Sequence, residues 1–490
     1  MQKSSISLIL LSSGCSYSNL NRRLENPEKT NILMICVDDL TGWPSPLGNS
    51  TVAKTPSLDR LATSGTTFSK AYCSAPACGP SRAAILTGMP PTTTGCYVNV
   101  DLWTKVIPEA ITLPRLFRDS GYWTAGFGKI FHQDIRNDDP KAWDERAYDV
   151  RLPIPSNAPL NGISELWETK GSFDWGPIEI PVEEMDDHKQ VSRAIESINK
   201  ERDKPFFIAC GIYRPHLPWY VPREFFDLYP MDSIEVPTVL EDDLDDVPAM
   251  GRAFSVSSEH QIILESGQWK NAVQAYLASL SYADFEIGRL IEGLNISGKK
   301  DNTLVVLWSD HGWHFGPKNH WRKFTLWEEA TKSVLIFAGP GIAENRNCDK
   351  PVSLLDIYPS LLGYTGVDKP TELISGRNLL PLLANPDLDW KHPVVSTFTY
   401  GNHSVRSESY RYIRYSDGGE ELYDHNSDPN EWVNLVPQGG NQEIIDSLAA
   451  FLPQTEAPAG ASYPHFETAW RETSRQQRFL NPFSAHERFD

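Results

Sequence analysis

The chain has 490 residues, 40% hydrophobic and 11% aromatic, with 37 prolines, an ordinary globular composition long enough for one large domain and a smaller one. A formal charge of −19 at pH 7 excludes a nucleic-acid binder, which needs a basic face. It also means that any anionic ligand must be met by positive charge concentrated locally.

Met1-Gln2-Lys3, the apolar stretch from Ile6 to Leu11 and Ser12-Ser13-Gly14-Cys15 look like a short bacterial lipoprotein signal: a basic start, an apolar middle and small residues before a cysteine. An ordinary secretory signal is the alternative. Residues 1–15 are expected to end at a lipidated Cys15 and residues 16–30 to form a linker, with the protein exported to the periplasm or cell surface. No other run is long enough to span a bilayer, so membrane contact is expected only through that anchor.

Asn31 to Val37 is a continuous apolar run ending in Asp38-Asp39, the pattern of a buried central strand in an α/β sheet. Carboxylates at the C-terminal end of such a strand lie where open α/β sheets place ligands, although Asp is also common in strand-end turns. Thr55 to Leu61 follows as a helix with Pro56 near its start and Gly65 at its end. The most informative stretch comes next: Cys78-Gly79-Pro80-Ser81-Arg82-Ala83-Ala84-Ile85-Leu86-Thr87-Gly88. It predicts a tight turn that opens a helix and presents Cys78 at the surface, at the positive end of the helix dipole, with Arg82 one turn on. Such a site suits an anion; a free, half-buried cysteine before an ordinary helix is the plain alternative.

A short helix from Pro114 to Asp119 and a strand from Tyr122 to Phe127 lead to Lys129 and His132. These two, three apart just past a strand end, either face one site or decorate the surface. Met185 to Lys200 is predicted helical and Pro205 to Ile212 another buried strand, running into Tyr213-Arg214-Pro215-His216-Leu217-Pro218-Trp219, where prolines fix the loop around His216. The acidic run Glu241 to Asp246 is expected to be a solvated connection, because it lacks the glycine and ligand spacing of an EF-hand. Apolar residues at three- and four-residue spacing from Val273 to Leu294 predict a long amphipathic helix. Thr303 to Ser309 is a strand that delivers Asp310-His311-Gly312 at its end. Val334 to Ala338 is another strand, and Leu354 to Leu362 begins the last helix of the large domain. Short polar-aromatic strands follow at His392 to Tyr400, Ser404 to Arg406 and Tyr410 to Tyr415, then Leu422-Tyr423-Asp424. They set a boundary near residue 385, with a large domain over 31–385 and a small C-terminal one over 386–490.

The stretch from Cys78 to Gly88 resembles, residue for residue, the signature of the type I sulfatases. Asp38-Asp39, Lys129 with His132, the loop around His216 and Asp310-His311 fall in that family's order between Ile32 and Leu435. The resemblance implies an α/β fold: an alkaline-phosphatase-like sandwich with a large mixed, mostly parallel central sheet flanked by helices, plus a small C-terminal domain with an antiparallel sheet. It implies a sulfuric ester hydrolase in which a formylglycine-generating or anaerobic sulfatase-maturating enzyme oxidises Cys78 to 3-oxoalanine (formylglycine). One hydroxyl of the hydrated aldehyde would attack sulfur, and collapse of the resulting sulfated hemiacetal would eject sulfate. By the same resemblance Asp38, Asp39, Asp310, His311 and the modified Cys78 hold a metal. An oxygen-rich cage of three carboxylates suits Ca²⁺ or Mg²⁺ better than Zn²⁺. Lys129 then contacts the sulfate and the formylglycine, and His132 is the base that helps release sulfate. His216 contacts the sulfate and is a candidate acid for the departing alcohol, Lys323 holds the sulfate, and Arg82 completes the catalytic set.

His311, where many sulfatases carry Asn, Lys323 in its register after Asp310 and the Arg-Pro-His-Leu-Pro loop are similar to the iduronate-sulfatase branch of the family. That branch implies a sulfated oligosaccharide as substrate, bearing a uronic acid or other sugar, from glycosaminoglycan or an algal polysaccharide such as ulvan. Tyr97, Asn99, Trp103, His314 and Trp321 are candidate lining residues, and Trp321 either stacks on a sugar ring or packs in the core. A phosphate or phosphonate monoester hydrolase of the same superfold is the alternative. A non-catalytic glycan-binding relative would have lost motif residues, and none is lost. The remaining cysteines, Cys36, Cys73, Cys96, Cys210 and Cys348, give no disulfide framework and no zinc pattern, and Cys36 and Cys210 sit inside strand patterns as buried thiols.

Overall fold

The computed structural model describes residues 30–42, 52–132, 135–148, 154–161, 173–255, 257–370 and 374–459, so the expected signal and nearly all of the linker lie outside the described residues. Asn31–Val37 (β1) is buried at every position, as a strand covered on both faces must be. Its side chains alternate between two cores: Leu33, Ile35 and Val37 enter one, Ile32, Met34 and Cys36 the other. Gly65–Phe68 (β2), Trp123–Gly128 (β3), Glu145–Ala147 (β4), Phe206–Ile212 (β5), Thr303–Ser309 (β6), Leu335–Ala338 (β7) and Arg346–Cys348 (β8) complete an eight-stranded sheet in the order β8-β2-β7-β6-β1-β5-β3-β4. Every pairing is parallel except the two made by β7, which is the mixed, mostly parallel sheet expected.

Helices cover both faces. Pro56–Thr63 (α1) packs on one core; Cys78–Thr87 (α2) and Leu113–Asp119 (α3) pack on the other. Asp186–Asn199 (α4) and the 28-residue Trp269–Ile296 (α5) join α1, while Ile357–Thr365 (α6) joins α2 and α3. The fold is thus the three-layer sandwich expected, and Cys36 and Cys210 are buried thiols within it.

Register decides where the chemistry collects. Val37 lies level with both Ser309 and Ile212, and Gly128 level with Gly211, so β1, β6, β5 and β3 all end at one edge of the sheet. The residues that follow them are Asp38, Asp310, Tyr213 and Lys129. This is the carboxyl edge at which open α/β sheets bind ligands. The chains leaving β3 and β5 run unusually close: a Cβ on Gly211 would lie 2.0 Å from the carbonyl oxygen of Lys129, and Gly128 (φ +69°) faces the Gly211 carbonyl at 2.1 Å by the same construction. Gly211→Ala is therefore expected to push the Lys129 backbone aside. A loss of ~2–3 kcal/mol, the scale of core overpacking, should be read by denaturant unfolding, together with reduced turnover.

The C-terminal part is an antiparallel meander of Val394–Thr397 (β9), His403–Arg406 (β10), Tyr410–Arg414 (β11) and Glu420–Asp424 (β12), backed by Gln442–Ala449 (α7). It is fastened beside the Cys78 loop. Ala77, Phe324 and Trp327 share a core with Phe398, Ile413 and Tyr423, and the wholly buried Arg411 donates to Glu431 Oε1 (2.5 Å), Glu328 Oε2 (2.5 Å) and the Leu326 carbonyl (2.9 Å). The acidic run 241–246 is solvated at Glu241, Asp242 and Asp245, as expected, but not at Asp243 and Asp246. Asp243 is buried against buried Lys318, accepting from its backbone N–H (2.9 Å) and Nζ (2.8 Å), and Asp246 accepts from the Asn434 N–H (2.7 Å). A desolvated lysine needs a carboxylate partner, and this run supplies it.

Candidate active site

Cys78 opens α2 after an extended Ala77, with Pro80 in the first turn, where its missing N–H costs nothing, and Gly88 (φ 73°) closing the helix in the left-handed region. The Gly79 N–H is capped by Asn99 Oδ1 at 2.9 Å. The helix start is as predicted; the exposure is not, because Cys78 is only 1% exposed. The segment following β6 is laid against it: Ser81 Oγ donates to the Asp310 carbonyl at 2.6 Å, and His311 Nε2 lies 3.2 Å from Cys78 Sγ.

Three wholly buried carboxylates surround that sulfur. Asp38 and Asp39 leave β1 and Asp310 leaves β6. One ligand atom from each of Asp38, Cys78, Asp310 and His311 falls within 4.8 Å of the others, and Asp39, Cys78 and His216 form an overlapping group. Asp39 is held at φ 59°, a left-handed conformation that an aspartate adopts at some cost. Its N–H donates to Asp310 Oδ1 (3.3 Å) and its carbonyl accepts from Tyr276 OH (2.9 Å), which secures the turn.

The positive charge that an acidic protein must concentrate is concentrated here. Arg82 donates through Nε to Asp310 Oδ2 (2.8 Å), through one terminal nitrogen to the Lys129 and Ile130 carbonyls (2.6 and 3.0 Å), and through the other to Asp38 Oδ1 (3.3 Å). With Nε and both terminal nitrogens engaged, Arg82 ties together the exits of β1, β3 and β6. Lys129 donates to Asp38 Oδ2, and Lys323 Nζ to both oxygens of Asp39 (2.8 and 3.1 Å). His216 Nε2 stands 3.8 Å from Asp39 Oδ2, its ring 13% exposed where the other members of the cluster are sealed. The site therefore opens past His216.

Burial opposes the charge on Asp38, yet Lys129 and Arg82 hold its carboxyl well below the usual range. Asp39 fares differently: burial, reinforced by Asp38, pushes it up to about 7 in spite of Lys323. His311 is held up at about 9, Asp310 and Cys78 outweighing the burial that opposes its charge. Burial and then Lys323 press His216 well below its ordinary value, so its imidazole is neutral.

Of the residues singled out in the sequence, the fold brings together Asp38, Asp39, Cys78, Arg82, Lys129, His216, Asp310, His311 and Lys323. His132 lies half-buried beyond β3, outside the groups whose ligand atoms surround Cys78. Four of the candidate lining residues are structural. Tyr97 is buried with its OH on the Ala457 carbonyl (2.9 Å), Trp103 stacks on Phe131, and His314 is sealed between the Pro317 carbonyl and Thr325 Oγ1. Trp321 is fully buried among Phe173 and Phe315 and donates to His260 Nδ1 (3.0 Å), so it packs in the core. Asn99 is the helix cap already described. Two residues went unread: Tyr276, counted among the apolar stripe of α5, and Tyr213, whose ring lies 4.7 Å from Lys129 Nζ. Neither carries a local signal, since each is defined by a partner far away in the chain. A surface cleft between β11 and α7, lined by Trp390, Tyr410 and Phe451 among others, contains none of these residues.

Comparison with known proteins agrees with this geometry. A family model described as sulfatase matches residues 30–367, and one described as the C-terminal part of N-sulphoglucosamine sulphohydrolase matches residues 312–457. A sulfatase from Formosa agariphila is 39% identical over 448 residues, which cover 88% of this chain and 87% of that one. Human iduronate 2-sulfatase is 28% identical over 452 residues, 78% of this chain and 79% of its own. Among solved structures, the phosphonate monoester hydrolase of Silicibacter pomeroyi has a TM-score of 0.69 at 22% identity, covering 86% of this chain and 94% of that one; at that identity the likeness speaks for the fold.

Proposed function

The chain belongs to the sulfatase family and is a sulfuric ester hydrolase, and from that premise we propose that it removes O-sulfate groups from a sulfated, uronic acid-containing carbohydrate. In this reading Cys78 is matured to formylglycine, and Asp38, Asp39, Asp310 and His311 hold Ca²⁺ or Mg²⁺ beside it. The observation that carries it is the position of Cys78: at a helix start, with three buried carboxylates on one side and Lys129, Lys323 and His216 around it.

The residues fit both groups. Three carboxylates and one imidazole make a hard donor set suited to Ca²⁺ or Mg²⁺. His311 Nδ1 lies 3.0 Å from the Gly312 carbonyl, an outer hydrogen bond that leaves Nε2 facing the carboxylates, as a metal-ligating histidine requires. Burial opposes the charge on Asp39, and a divalent cation beside it would favour the ionised carboxylate. The cation supplies Lewis-acid pull on a sulfate oxygen. Formylglycine, once hydrated, supplies a hydroxyl as nucleophile toward sulfur.

The chain's own side chains do the rest. Lys129 and Lys323 pair with carboxylates in the structure and are placed to take up sulfate oxygens beside them. His216, with Nδ1 at 2.6 Å from the Leu217 carbonyl, points Nε2 inward as an acceptor. An arriving sulfate adds negative charge that favours its protonated form, so that it gives a proton to the departing alcohol only when substrate is bound. His132 is the proposed base for sulfate release. Iduronate 2-sulfatase as a relative supports a uronic acid substrate, and the signal-like N-terminus supports an exported enzyme, anchored by a lipid at Cys15.

The test is kinetic. The mature enzyme, given matched sulfate and phosphate esters of one alcohol, should turn over the sulfate ester faster by orders of magnitude. Faster turnover of the phosphate ester by a comparable margin would make it a phosphate monoester hydrolase. Defined sulfated oligosaccharides with and without uronic acid then test the substrate class.

A further inference from the structure

Tyr213 and His216 belong to the chain that leaves β5, and a buried side chain on another element grips that exit. Asp187, in the first turn of α4, accepts from the Tyr213 N–H through Oδ1 (2.7 Å) and from the Arg214 N–H through Oδ2 (3.1 Å). It is 5% exposed, so no solvent replaces those two bonds. The backbone it fixes carries the Tyr213 ring, whose centroid lies 4.7 Å from Lys129 Nζ and 4.8 Å from the His216 ring, tilted 60° to it. The Tyr213 ring thus packs against two of the groups that flank Cys78.

We propose that Asp187 is a positioning residue for the reaction: by gripping both N–H groups of the Tyr213–Arg214 turn it sets the Tyr213 ring, and through that ring the placement of Lys129 and His216 around the sulfate. The inference rests on the reading that these two side chains bind the sulfate group. Asp187 itself touches no reacting atom. An amide in its place offers one acceptor oxygen for two donors and turns its NH₂ toward the second, so the turn must shift. Displacement of a binding group by about 1 Å costs on the order of 10²-fold in rate.

The fold contains a matched control. Asp284 on α5 performs the same grip elsewhere: it is 2% exposed and accepts from the consecutive N–H groups of Ser57 (3.0 Å) and Leu58 (2.7 Å) at the start of α1, away from Cys78. A purely structural role for Asp187 predicts that Asp187→Asn and Asp284→Asn behave alike.

The experiment compares the two variants with the wild-type protein in sulfate-ester kinetics, thermal unfolding and crystal structures. Asp187→Asn is expected to lower kcat by ~10–100-fold and to raise KM, and to displace the Tyr213 and His216 rings. Asp284→Asn, at a similar loss of thermal stability, should leave both constants within about twofold. Asp187→Glu, which keeps both acceptors, should recover part of the activity. Equal kinetic effects from both Asn variants, or rings unmoved in Asp187→Asn, would overturn the proposal. Should the wild-type enzyme fail to cleave sulfate esters, the assigned function falls, and the ring positions in Asp187→Asn still decide whether Asp187 sets them.

Discussion

Cys78→Ala leaves a folded protein whose turnover of sulfate esters is lower by ~10⁴-fold or more, the scale on which loss of a covalent nucleophile is felt. The fold survives because the substitution removes little. Among the described residues the sulfur's side-chain partner is His311 Nε2 at 3.2 Å, the helix start is secured by Asn99 on the Gly79 N–H, and alanine is at home in a first turn. A stability change of ~1 kcal/mol is expected from truncating so small a side chain. Thermal unfolding and steady-state kinetics on the same preparation check both halves. A variant that keeps a tenth of the wild-type rate would remove position 78 from the chemistry.

Arg82→Met is expected to act on the fold first. Arg82 is wholly buried and serves Asp38, Asp310 and two carbonyls with one guanidinium, so its loss takes the guanidinium from buried Asp310 and leaves Asp38 to Lys129. Breaking a buried ion pair from one side costs ~3–5 kcal/mol, and denaturant unfolding should show a loss of that size. Lysine should not rescue it, since a single ammonium cannot reach three sides at once. A variant with wild-type stability would show that Asp310 finds another partner.

How much of this was legible in the sequence follows from what burial does to a pattern. Strands β1, β5 and β6 are covered on both faces, so they read as unbroken apolar runs, and the aspartates at the ends of β1 and β6 fall where parallel strands deliver ligands. Asp38, Asp39 and Asp310 were therefore visible from their own neighbourhoods. Lys129, His216 and Lys323 were visible only through resemblance, because a lysine or histidine in a loop carries no mark of the carboxylate it will meet.

The misreadings share one cause. The burial of Cys78, the structural role of Tyr97 and the sealed Asp243 all come from segments distant in the chain. Asp187 belongs with them: two acidic residues opening a helix read as ordinary favourable charge at its start, and nothing nearby names Tyr213 as the partner. The C-terminal strands were legible from their short polar-aromatic runs, but α7, which covers them, was not.

The most direct measurement is the mass of the tryptic peptide that carries residue 78, taken from protein co-expressed with a sulfatase-maturating enzyme and assayed for sulfate-ester turnover. An aldehyde in place of the thiol, in a fraction that rises with specific activity, is the predicted result. Full turnover by protein whose residue 78 is still an intact thiol would contradict the account.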